Sequence, residues 1–197
     1  MLNMKHVISK VFATAAFLSA FSASAVEITT YGGKISANDF ATDTQEELSV
    51  DAGDSFALGI AWNDGPNGQG QFLFTSTNHE FETSAGTSSE IDVIYAHFNG
   101  VAQFRQQNYV TTVSIGLGGA YYDVKDGNDD LLPSFTAALG TRYKINENFA
   151  VVTELRGFVT LTDDDSDLFC PDDVCIAQFE SSLWIETSVS VGVAYSF

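Results

Sequence analysis

Read back from Phe197, the positions alternate without a break. Phe197, Tyr195, Val193, Val191, Val189, Thr187 and Ile185 fall on one face, and Ser196, Ala194, Gly192, Ser190, Ser188 and Glu186 on the other. A period of two over twelve residues predicts a β-strand whose faces meet different surroundings. Segments of the same alternating character recur along the chain, eight in all: about 27–37, 55–63, 70–82, 90–105, 108–123, 132–145, 148–162 and 176–197. Turn-forming or acidic stretches separate them. No helical heptad, low-complexity tract or break in composition marks a second domain.

The connections come in two lengths, in alternation. DGPNGQ, QQ after Arg105 and NE after Ile145 join segments two to three, four to five and six to seven. NDFATDTQEELSVDAGD, TSAGTSS, VKDGNDDL and DDDSDLFCPDDVC make the other four connections. Short turns at one end and long polar loops at the other predict an all-β, eight-stranded antiparallel up-and-down transmembrane β-barrel, its short turns periplasmic and its long loops outside the cell. The faces agree. Segment five sets Tyr109, Val113, Ile115, Leu117 and Tyr121 against Thr112, Ser114, Gly116, Gly118 and Ala120. Segment six sets Phe135, Ala137, Leu139, Tyr143 and Ile145 against Thr136, Ala138, Gly140, Arg142 and Lys144, and segment seven sets Phe149, Val151 and Leu155 against Glu154 and Arg156. A face of small and polar residues with charges in mid-strand suits a narrow polar interior, which leaves the apolar face for lipid.

Aromatic residues separate a bilayer from an ordinary core. Trp62 and Phe72 flank the first short turn, Phe104 and Tyr109 the second, and Tyr143 and Phe149 the third, with Tyr195 and Phe197 at the same end. All share the outward parity, as a girdle at the periplasmic lipid–water boundary requires. The last strand then faces lipid, and pairing it with the first closes the cylinder and removes both edges.

Residues 1–25 stand apart from this pattern. Lys5, His6 and Lys10 precede the apolar run VFATAAFLSAF, and Ala23-Ser24-Ala25 supplies small residues for cleavage. This reads as a secretory signal peptide, leaving 26–197 as the barrel domain. No stretch of the chain reaches the length of a membrane-spanning helix. Without the leader, six basic residues face 26 acidic ones, a net charge of −20. Such a surface repels phosphate backbones, which excludes nucleic acid, and favours cations or a basic partner. Cys170 and Cys175 are the two cysteines, and in an exported chain they are expected to form a disulfide that closes a short loop, worth about 2 kcal/mol. A metal site on two lone thiols is the competing reading.

In architecture the whole mature chain resembles the small eight-stranded outer-membrane β-barrel proteins of Gram-negative bacteria, of the OmpA/OmpX type. The stretch LRGFVTLTDDDSDLFCPDDVC, the following LW and a strand ending in Phe197 are similar to a marine gammaproteobacterial branch of that family. The resemblance implies outer-membrane lipid and lipopolysaccharide as surroundings. It also implies recognition of the terminal Phe, with aromatic or apolar residues at alternate positions before it, by the barrel-assembly machinery during insertion. The peptidoglycan-binding domain of full-length OmpA is not expected.

Three constellations are candidates for chemistry. The charges Lys34, Arg142, Lys144, Glu154, Arg156 and Glu186 are expected inside the barrel, with Tyr95, His97 and Trp184 on the same parity. An eight-stranded barrel is just wide enough for its own side chains, so these form a structural plug of partnered charges. A narrow small-solute channel and a ligand or catalytic site are the alternatives. Enzymatic barrels that modify lipid A need a nucleophile or base held by an orienting partner. Here the mature chain offers only His79 and His97, and the His-x-Ser arrangement of the deacylases is missing after His97. Acidic side chains crowd the long loops: Asp39, Asp43, Glu46, Glu47, Asp51 and Asp54; Asp126, Asp129 and Asp130; Asp163, Asp164, Asp165, Asp167, Asp172 and Asp173. They form a solvated acidic crown able to attract divalent cations, although DDDSD lacks the Gly and terminal Glu of an EF-hand loop. No dedicated metal site and no cofactor are expected. The function read from the sequence is therefore non-enzymatic, either structural and envelope-stabilising or a surface interaction.

Overall fold

The computed structural model of the chain describes residues 26–37, 40–41, 47–48, 52–82, 88–124, 129–162 and 183–197. The leader, both cysteines and most of the acidic loop residues lie outside these. Eight long strands form one closed antiparallel barrel: β1 (Val26–Ala37), β2 (Gly53–Asn63), β3 (Gly68–Glu82), β4 (Ser88–Arg105), β5 (Tyr109–Val124), β6 (Asp129–Lys144), β7 (Phe149–Leu161) and β8 (Leu183–Ser196). Phe40–Ala41 pairs with Glu47–Leu48 as a separate two-residue ladder.

Each strand pairs with its chain neighbours, and β8 returns to β1 over eleven residue pairs, from Glu27 with Ser196 to Ala37 with Glu186. Following partners around the wall leads from Glu27 through Ala61, Gln71, Asn99, Gly116, Thr136, Phe158 and Glu186 to Ala37. The path returns to β1 ten residues above its start. A shear of ten over eight strands fixes a tilt of about 40° and a bore that side chains can fill.

The short turns are built from local chemistry. The Asn146 side chain accepts from the backbone N–H groups of Asn148 (2.9 Å) and Phe149 (2.8 Å), and the Ile145 N–H donates to the Phe149 carbonyl (2.9 Å). An Asx-type turn of this kind reverses the chain in the fewest residues. Pro133 lies in β6 where pairing with β7 has already ended, the first β7 partner being that of Ser134. Its missing N–H therefore costs the ladder nothing.

The faces are inverted relative to a water-soluble barrel. Ile115, Leu117, Leu139 and Val191 point outward and are exposed. On β5, Tyr109 to Tyr121 spans twelve residues of about 3.4 Å each, which the tilt projects to about 30 Å along the axis. That covers the outward apolar band of an outer-membrane barrel, about 25 Å tall.

Candidate functional site

The lumen is filled in layers. At the turn end, Glu27 of β1 forms an ion pair with Arg142 of β6, both largely buried. The Ser196 hydroxyl donates to the second oxygen of Glu27 (3.2 Å). Beneath them a cavity of about 180 Å³ opens at this mouth, lined among others by Gln69, Gln103, Arg105 and Lys144.

The next layer rests on β7, whose alternation points Glu154 and Arg156 to the same side. The Arg156 Nε donates to Glu154 Oε1 (2.8 Å) and its Nη1 to the Thr136 hydroxyl (3.1 Å). Asn99 donates to Gln71 (3.0 Å) at a similar level. Above these charges the Tyr95 ring stacks on Phe158, centroids 4.4 Å apart, and His97 lies 5.7 Å from each. The Tyr122 hydroxyl donates to Thr160 (3.0 Å), which donates to Ser134 (3.3 Å). At the loop end, His79 of β3 and Glu186 of β8 meet across the bore, Nε2 to Oε1 at 2.6 Å, with both side chains fully buried. Ile35, Ile91, Val93, Val124 and Trp184 belong to one buried apolar cluster with the Tyr95 and Phe158 rings.

Several sequence expectations change here. Lys34 is outside the lumen: it points outward, 65% exposed, and pairs with Asp54 at 2.7 Å. The cause is local, because in VEITTYGGKISA neither face is consistently apolar and the parity of β1 cannot be read. Lys144 keeps the parity of Arg142 but lies beyond the filled bore, exposed at the mouth. The interior is not uniformly polar, since its loop half includes an apolar cluster around the His79–Glu186 pair and the Tyr122–Thr160–Ser134 hydrogen bonds. Arg142, Glu154, Arg156, Glu186, Tyr95, His97 and Trp184 all point inward and are wholly or largely buried. Sequence reasoning missed the partners Glu27 and His79. Both sit on the inward parity of their strands, but cross-lumen pairing depends on register, which alternation does not report.

The aromatic residues gather at the turn end on the outer surface. Phe72, Phe104, Tyr109, Tyr143, Phe149 and Phe197 are exposed. Trp62 packs on Phe72 and Phe98 with centroids 5.5 and 5.9 Å away, and Tyr195 lies 4.8 Å from both Phe149 and Phe197. At the loop end the described acidic residues Asp54, Glu80, Asp92, Asp123 and Asp129 are exposed. Among the described residues no three His, Cys, Asp or Glu side chains converge into a cation site.

The family model for the outer membrane protein beta-barrel domain matches residues 11–197. The chain belongs to this family. Its barrel is similar to solved structures of the same fold. Neisserial surface protein A aligns with a TM-score of 0.55 at 11% identity, over 87% of this chain and 97% of that one. Ail, the attachment invasion locus protein of Yersinia pestis, gives 0.51 at 14%, over 88% and 97%, in a complex with the heparin analogue sucrose octasulfate. The outer membrane protein AlkL in lipid bilayers gives 0.51 at 14%, over 88% and 90%. No curated protein sequence matches the chain. The exposed apolar belt, the aromatic girdle and the family together place this barrel in the outer membrane.

Proposed function

We propose that this outer-membrane barrel is non-enzymatic, a closed scaffold that stabilises the envelope or presents its acidic loop end to a surface partner. The observation that carries this reading is the filled bore: a charge layer, an aromatic layer and the His79–Glu186 crossbar succeed one another along the axis. The cavity of about 180 Å³ is lined only by residues of the turn-end mouth, which supports a plug rather than a conduit. Against a lipid A-modifying enzyme stands the burial of both histidines, His79 held by Glu186 and His97 among rings. A general base needs a substrate proton within hydrogen-bond reach, and neither ring presents such a face.

Ail was solved with a polysulfated ligand. The acidic loop end of this chain favours the opposite chemistry, a divalent cation, lipopolysaccharide bridged by such cations, or a basic polypeptide. Planar-bilayer recording tests the scaffold reading. The wild-type protein is expected to give no reproducible unitary conductance, and a stable open level in the wild type would overturn the plug. Incubation with lipopolysaccharide should leave lipid A acylation unchanged by mass spectrometry, whereas turnover lost in His97→Ala would establish the enzyme.

A further inference from the structure

The apolar belt is a wedge. On β5 it runs from Tyr109 to Tyr121, on β6 from Tyr143 to Leu131, on β7 from Phe149 to Leu161 and on β8 from Tyr195 to Leu183, twelve residues in each case. On β2 it runs only from Trp62 to Phe56, six residues, before the exposed Asp54. On neighbouring β3 it ends at Phe74, and the next outward positions are Ser76, Asn78 and Glu80. On β1 the outward positions above Ile28 are Thr30, Gly32, Lys34 and Ser36. Six residues project to about 15 Å along the axis, well short of the band of about 25 Å that such barrels present to lipid.

This short side is three adjacent strands wide. At its upper edge the pair Lys34 and Asp54, register partners on β1 and β2, are 65% and 66% exposed where the opposite wall is still apolar. A short hydrophobic wall is accommodated by thinning the bilayer, by snorkelling or by association. The pair is neutral as a unit, so it offers little to an anionic headgroup. It is instead self-complementary: a two-fold axis along the membrane normal sets the Lys34 of one copy against the Asp54 of the other, twice. The small outward residues of β1 let two walls approach closely, and Gly32 leaves the edge of the Phe56 ring uncovered.

We infer that the outer half of β1–β3 is an interface for a second copy of this chain, formed in the bilayer where each barrel's short wall meets the other's. The experiment uses the whole protein, with donor- and acceptor-labelled copies reconstituted at low density in vesicles of short-chain and long-chain lipids. Wild-type energy transfer is expected to rise with bilayer thickness. Lys34→Asp alone and Asp54→Lys alone should each lower association at least about tenfold, since each sets like charges face to face. Mixing the two variants should restore it, which altered folding of either barrel cannot produce. Absence of energy transfer in thick bilayers, unchanged self-association of either variant, or no gain on mixing would overturn the interface. So would a monomer that instead retains lipopolysaccharide through Lys34.

Discussion

Arg156 illustrates how a single residue holds the lumen. Its guanidinium is buried and is partnered by Glu154 and Thr136. Removing one member of a buried pair leaves a charge without compensation, so Glu154→Leu should cost about 3–5 kcal/mol. The double replacement Glu154→Leu with Arg156→Leu should recover most of that, because it removes both desolvated charges. Urea unfolding in vesicles, followed by tryptophan fluorescence, measures the cycle. Gly192 carries a different constraint. A side chain there would run into the Thr30 carbonyl and the Tyr31 ring, so Gly192→Val should destabilise by about 1–3 kcal/mol in the same assay. The inward direction of Glu154, Arg156 and Glu186 was legible in the sequence, since regular alternation surrounds them. The inward reading of Lys34 failed for want of that regularity. The pairings of Glu27 with Arg142 and of His79 with Glu186 were not legible, because the partners lie on strands distant in sequence.

At the scale of the element, β6 offers the sharpest test of the inverted faces. Leu139 is exposed near the middle of the belt and Ile145 is exposed at its turn end. In water, arginine at either site would be nearly neutral. In the membrane, Leu139→Arg should cost about 2–4 kcal/mol and Ile145→Arg about 0–1 kcal/mol, and refolding equilibria into vesicles separate the two. The strands β5 to β8 were legible to within a few residues, because both faces are chemically distinct and the period of two is unbroken. The expected eighth strand begins at 176, and its stretch 176–182 lies outside the described residues. β1 was legible as a strand but not in its parity. Its outward face is too polar to identify from the sequence alone, and that same polarity makes the wedge.

Across the whole molecule, the two ends differ in charge among the described residues. Asp54, Glu80, Asp92, Asp123 and Asp129 stand exposed at the loop end, whereas at the turn-end mouth Arg105, Arg142 and Lys144 are offset by Glu27 and Glu147. Vesicles carrying the protein with its loops outward should adsorb a polycationic peptide and release it as ionic strength rises, since exposed charges are screened beyond about 8 Å at physiological salt. Light scattering or electrophoretic mobility checks this. Adsorption that does not respond to salt would assign the loop end to apolar recognition instead.

By itself the sequence determined the class, the number of strands, the outward direction of β5 to β8 and the end at which the aromatic residues gather. All of these follow from period, turn length and parity, which are local properties of the chain. Only the tertiary structure decided which charges meet: Arg142 with Glu27, His79 with Glu186, and Lys34 with Asp54 on the outer wall. The reason is geometric. Closure with a shear of ten brings Glu27 to Arg142 and His79 to Glu186, each more than a hundred residues apart, while Lys34 meets Asp54 through the register of neighbouring strands. Both depend on stagger, which a period of two leaves open.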